Sequence, residues 1–273
     1  MKEAAFYTPL SEPKGQTVRC ELCKLRCTIA PGRRGQCRVR ENREGKLYSL
    51  SYDNLIALHE DPVEKKPLFH VAPGSIAFSF AAEGCNLHCP WCQNHQISQA
   101  GKRDTALYGK GHAISPARIV SLALEGGARV MAATYTEPTI FFELALETAI
   151  LASEAGLINA WVTNGSIAEK PLEDIAPYLQ AANVDLKGID DAKSRSWIGI
   201  GAHEVLDTIR HMHALGIWVE LTTLLVPGFN DTPAEIERIA TFIAGLDPNI
   251  TWHVTRYFPQ FKYNAPPTPP STL

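Results

Sequence analysis

The chain has no apolar run of membrane-spanning length and no surplus of basic charge. About 20 consecutive apolar residues are needed to cross a bilayer as a helix, and no stretch of these 273 residues supplies them. A net charge of −3 offers no basic face for nucleic acid. Met1-Lys2-Glu3-Ala4-Ala5 lacks the apolar core of a secretion signal, so the expected location is cytoplasmic. The N-x-S/T triplets at Asn164, Asn230 and Asn249 then read as chance matches. A hydrophobic share of 45% and a charged share of 20% are those of an ordinary globular protein. Cysteine, by contrast, is not scarce. Seven cysteines fall in two groups, which in a reducing compartment indicates metal ligands rather than disulfides.

The first group is Cys85, Cys89 and Cys92, in the run Glu83-Gly84-Cys85-Asn86-Leu87-His88-Cys89-Pro90-Trp91-Cys92-Gln93-Asn94. A cubane [4Fe–4S] cluster normally takes four thiolates. A tight loop offering three leaves one iron open to a small molecule. Other readings exist. Cys89 and Cys92 alone make a C-x-x-C pair of the redox type, but such a pair needs no third cysteine four residues upstream. A zinc site would need a fourth ligand, which His88 or His95 could supply. Trp91 is either packing or a shield for whatever the loop holds. The C-x3-C-x2-C spacing resembles the signature of the radical S-adenosylmethionine (radical SAM) enzymes. That resemblance implies a [4Fe–4S] cluster that cleaves SAM reductively to methionine and a 5′-deoxyadenosyl radical, which abstracts hydrogen from a substrate.

The second group, Cys20, Cys23, Cys27 and Cys37, is spaced C-x2-C-x3-C-x9-C. A structural zinc site would stabilise a small module that lacks a large core. An auxiliary Fe–S cluster or free thiols are the alternatives. The knuckle-like spacing, with Gly32 and Gly35 for tight turns, favours zinc. The C-x2-C-x3-C part mirrors the other triad in reverse and keeps a second cluster open.

Three regions follow: a cysteine-rich N-terminal module over 1–74, a core over 75–262 and a proline-rich tail over 263–273, expected to be extended or disordered. From Ser75 onward, short apolar or β-branched runs alternate with helical patterns. Strands are predicted at 76–81, 129–134, 159–163, 183–186, 217–225 and 251–257, as for parallel strands buried on both faces. Helices are predicted at 116–125, 138–154, 170–180, 204–215 and 233–245, the first opened by Ser115-Pro116. Repeated βα units argue for an α/β fold. Six strands are too few for a closed eight-stranded barrel, and an open (β/α)6 partial TIM-like barrel of the radical SAM type fits.

Functional groups of such folds collect where strands exit. The cysteine loop follows the first predicted strand and Tyr135-Thr136-Glu137-Pro138 the second. Thr163-Asn164-Gly165 follows the third and Asp185-Leu186-Lys187-Gly188 ends the fourth. Val226-Pro227-Gly228-Phe229-Asn230-Asp231 follows the fifth, and His253 and Arg256 lie on the sixth. These runs resemble motifs of pyruvate formate-lyase activating enzymes, a glycine pair of one motif being replaced here by Tyr135-Thr136. The resemblance implies SAM contacts from Glu137, Asn164, Asp185 and Lys187, and the sixth strand adds His253 as a candidate. Together with Cys20-Glu21-Leu22-Cys23, Gly35-Gln36-Cys37 and the 61–68 run Asp-Pro-Val-Glu-Lys-Lys-Pro-Leu, the chain resembles the AmmeMemoRadiSam-system radical SAM enzymes. It would then take electrons from a flavodoxin or ferredoxin and associate with Memo-like and AMMECR-like proteins. Its substrate would be a protein or peptide, with a small molecule or a non-catalytic metal scaffold as alternatives. Members of that family usually run beyond the Pro-Pro-Thr-Pro segment, so what a longer C-terminus does there is not expected from this chain.

Overall fold

A computed structural model describes residues 1–10, 16–99 and 111–273. The N-terminal region forms short antiparallel strands: β1 (Lys2–Glu3), β2 (Tyr7–Pro9), β3 (Val18–Cys20), β4 (Thr28–Ile29), β5 (Arg40–Arg43) and β6 (Lys46–Ser49). They pair as two three-stranded sheets, β1-β6-β5 and β2-β3-β4. Val18, Ile29, Val39 and Leu47 are buried and join the main core. These strands leave little pattern in the sequence because β5 and β6 are only four residues each, β5 is strongly charged, and their buried positions alternate with more exposed ones.

The large sheet begins with β7 (Leu55–Pro62), followed by β8 (Ile76–Ala82), β9 (Val130–Ala133), β10 (Ile158–Thr163), β11 (Ala181–Asp185), β12 (Trp218–Leu225) and β13 (Trp252–Arg256). Its order is β13-β12-β11-β10-β9-β8-β7. β8 to β13 run parallel, and β7 lies antiparallel against β8. The six predicted strands are therefore present in one parallel array. A seventh comes from the region ascribed to the N-terminal module, and its continuous pairing with β8 makes it part of the barrel wall.

The connecting helices are α1 (His95–Ser98), α2 (Pro116–Glu125), α3 (Phe142–Glu154), α4 (Glu169–Ile175), α5 (Asp191–Ile198), α6 (Ala202–Ala214) and α7 (Pro233–Leu246). Caps set their starts. The Ser115 hydroxyl accepts the Arg118 N–H at α2, and Thr232 does the same for Glu235 at α7, each followed by proline at the first helical position. Thr232 therefore caps α7. α5 has few apolar residues and escaped the periodicity search. Asp190 caps its start, and Gly199, at φ +95°, ends it in the left-handed conformation that glycine favours.

The tail is neither free nor disordered. Thr268 is fully buried. Its hydroxyl donates to the Leu225 carbonyl and accepts the Tyr257 N–H, and its own carbonyl accepts from Arg256 Nε at 2.6 Å.

Candidate active site at the strand exits

The β8–α1 loop brings its three cysteines to one cleft of about 400 Å3, whose walls come from the ends of β9 to β13. The loop is anchored at several points. Gly84 donates its N–H to Ile97 (2.8 Å), His88 to Ile198 (3.2 Å), and Pro90 accepts from Lys262 (2.9 Å). Trp91 is buried against Phe229 and Trp197, so its main work is packing, although it also reaches the cleft wall. Polar groups of the loop and of α1 lie against its sulfurs. The Leu87 N–H lies 3.4 Å from Cys85 Sγ, and the Ser98 hydroxyl 3.1 Å from Cys92 Sγ.

Of the predicted contacts, Asn164, Asp185 and Lys187 line this cleft. Asn164 Nδ2 donates to Asn86 Oδ1 at 2.9 Å and lies 3.8 Å from Cys85 Sγ. Lys187 Nζ sits 2.9 Å from Asp185 Oδ2. Burial pulls the Lys187 ammonium down, but the Asp185 carboxylate and the Cys89 and Cys92 thiolates outweigh it and hold the group above the usual lysine range. The amine therefore stays cationic beside the sulfurs.

Glu137 does not reach the cleft. It is fully buried. Oε1 accepts from the Thr139 N–H (3.0 Å), the Thr139 hydroxyl (2.6 Å) and the Thr163 hydroxyl (2.8 Å), while Oε2 accepts the Asn164 N–H (2.7 Å). Desolvation pushes this carboxyl up, and the four donors only partly offset it. Glu137 is thus a positioning residue that staples the β10 exit, including Asn164, to the β9 exit.

His253 also lies outside the cleft. Its Nε2 meets Glu220 Oε2 at 2.6 Å. The fully buried Glu220 further accepts from the N–H groups of Phe69 and His70 and from Trp218 Nε1. Residues two apart on a strand share a face. Thr222 and Thr255 line the cleft, so Glu220 and His253 occupy the next layer down, toward the strand starts. The sixth strand sends Thr255 and Arg256 to the site instead.

Three features were not visible in sequence. Tyr135 replaces the first glycine of the activating-enzyme motif, yet holds φ +62°, a left-handed backbone uncommon for a non-glycine residue. Its carbonyl accepts from Asn94 Nδ2 at 2.7 Å and its hydroxyl bonds Asp61. Asp61 also binds Lys65 and the buried Lys66, which gives the 61–68 run a structural role beneath Tyr135. Asn230, in the turn after β12, donates to the Lys187 and Leu224 carbonyls at 2.8 Å each and so fixes the β11 exit to β12. Glycine rarity and turn chemistry hinted at the last of these alone.

The second cysteine group forms a separate, mostly apolar pocket in the N-terminal region. Burial pushes the Cys23 thiol up to about 12 and Cys37 to about 11. No three cysteine sulfurs among the described residues lie within 4.8 Å of one another. In a zinc tetrahedron with Zn–S of about 2.3 Å the sulfurs stand about 3.8 Å apart.

An open parallel array with cysteines at its first strand exit defines a class, and comparison with known proteins agrees. Residues 81–243 match the Radical SAM superfamily, and the chain belongs to that superfamily. It is 38% identical over 275 residues to an uncharacterized protein of Methanocaldococcus jannaschii, an alignment spanning 100% of this chain and 80% of that one. An isethionate sulfite-lyase activating enzyme of Oleidesulfovibrio alaskensis is 30% identical over 87 residues, 31% of this chain and 28% of the relative. The crystal structure of Streptococcus suis SuiB bound to S-adenosylmethionine has the same core fold, with a TM-score of 0.53 and 16% identity. That match covers 67% of this chain and 41% of SuiB. Among the described residues no helix is long and apolar enough to cross a membrane.

Proposed function

We propose that this protein is a SAM-cleaving radical enzyme of the activating-enzyme kind, acting on a protein or peptide. One observation carries the reading: three thiols on one loop face a cleft that also holds Asn164, Asp185 and Lys187. The donor set fits a cubane. Its three sulfurs do not all lie within 4.8 Å of one another, the Leu87 N–H and the Ser98 hydroxyl lie against two of them, and the loop carries no fourth cysteine. When bound through Cys85, Cys89 and Cys92, a [4Fe–4S] cluster supplies the electron that converts SAM to methionine and a 5′-deoxyadenosyl radical.

The chain's own residues do the rest. Lys187 offers a fixed positive charge to the carboxylate of SAM, and Asp185 accepts from a ribose hydroxyl or ammonium. Asn164 is held in place by Glu137 and Asn86. Tyr135 and Thr136 present the backbone edge that glycines provide in the related motif, now locked by Asn94 and Asp61. The activating-enzyme relative supports the choice of a macromolecular substrate, and a flavodoxin or ferredoxin is the matching electron donor. Memo-like and AMMECR-like proteins are the proposed associates.

The test is 5′-deoxyadenosine formation from SAM by anaerobically reconstituted, dithionite-reduced protein, beside Cys92→Ala. Product from wild type alone supports the reading. No product from a wild type with its cluster fully loaded overturns it. Release of a modified small metabolite, with no change to candidate proteins, would move the substrate to the small-molecule class.

A further inference from the structure

The four N-terminal cysteines converge on a single pocket walled by Leu22, Leu25, Ile29 and Ile140. They come from the end of β3, the loop that joins it to β4, and the turn before β5.

Arg40 also lines the pocket. It is 1% exposed, and its Nε has no hydrogen-bond partner, although its other nitrogens bond Glu143 and the Ala5 carbonyl. A buried guanidinium N–H left unpaired against four cysteines fits a site built for an anionic thiolate complex. Zinc and iron–sulfur centres both meet that requirement, and geometry separates them. No three of the sulfurs lie within 4.8 Å of one another, whereas every pair in a zinc tetrahedron stands about 3.8 Å apart. The pocket they line encloses about 20 Å3 of open space.

We propose that Cys20, Cys23, Cys27 and Cys37 hold a second [4Fe–4S] cluster, set directly beside the barrel loop. Asn86 marks the junction. It follows Cys85 in the chain, its Oδ1 accepts from Asn164 Nδ2 of the barrel site, and it lines the N-terminal pocket. Gly84 completes the contact from the other side. A Cβ at this position would lie 2.9 Å from Val39 Cγ1 and 3.2 Å from the Cys37 carbonyl.

The occupancy claim is independent of the reaction proposed above, while the adjacency claim rests on that reading of the barrel loop. The first experiment is metal and sulfide counting on the triple variant Cys85→Ala/Cys89→Ala/Cys92→Ala, reconstituted without oxygen. About four irons and four sulfides per chain, with an electron paramagnetic resonance signal after reduction, are expected. One zinc and no iron, or no metal at all, overturns the proposal. If that variant does not fold, the wild-type count decides between the outcomes: about eight irons for two clusters, or about four irons plus one zinc. In fully reduced wild type the two signals should broaden one another through their proximity. Spectra equal to the sum of isolated clusters would overturn the adjacency. Absence of deoxyadenosine in the earlier assay would sink the barrel-loop chemistry and leave the triple-variant count standing on its own.

Discussion

The two cysteine groups of this chain make opposite use of the same ligand. In the barrel, one short loop carries all three thiols to the floor of an open cleft with charged and amide side chains around it. In the N-terminal region, four thiols from three pieces of a small β-ribbon face inward onto leucine and isoleucine. A ligand set from one loop, short by one, leaves room for a second molecule. A set of four from separate segments can tie those segments together. The two groups therefore differ in cysteine number and in the elements that supply them, not only in spacing.

Cys92→Ala should break this comparison most severely. It is expected to take deoxyadenosine formation to background while leaving the N-terminal centre loaded, as read by product assay and metal analysis together. Next comes Glu137→Ala, which strands four buried donors and should destabilise the protein by about 3 kcal/mol in chemical denaturation. The loss should appear although Glu137 never meets the cleft. Glu220 sharpens the vertical layering of the barrel. Burial raises its carboxyl, but the bonds from Phe69, His253, His70 and Trp218 outweigh that and set it below the ordinary 4.5. A carboxylate depressed in the folded state stabilises above its unfolded value and loses that contribution as pH falls through the folded one. Stability should therefore drop with acid below about pH 4.5, and Glu220→Gln should flatten that limb when the two proteins are compared across pH 3 to 6. Lys187→Ala should weaken SAM binding roughly tenfold, about 1.4 kcal/mol, measured by equilibrium dialysis. Thr268→Val, the mildest change, should cost about 1 kcal/mol and leave metal content unaltered.

Much of the barrel was legible before the structure. β8 to β11 are mostly buried runs and β13 is a half-exposed edge strand, yet each predicted strand falls within a residue or two of its observed place. Asn164, Asp185 and Lys187 could be placed because they follow strand ends, where the topology alone gathers side chains. Depth along the barrel was not legible. His253 and Thr255 share a face by strand periodicity, and only the bond from His253 to Glu220 shows that one is engaged outside the cleft while the other lines it. Glu137 misled for a related reason. A carboxylate at a strand exit reads the same whether it faces ligand or is consumed by four protein donors, because two of those donors sit 26 and 27 residues away. β7 was hidden by its position in a charged region, and the hold on the tail by resting on one buried threonine among prolines.

That threonine has a consequence for how copies of the molecule meet. An incomplete barrel leaves two lateral borders, β13 and β7, whose outward amides invite pairing with a neighbouring molecule. At the end of β13 the segment around Thr268 lies alongside the strand, with Pro266, Pro267, Pro269 and Pro270 unable to donate a ladder bond. At β7, Leu55 exchanges both backbone bonds with His112. Both borders are thus partly spent within the chain, which leaves fewer free backbone groups for a neighbouring molecule to pair with.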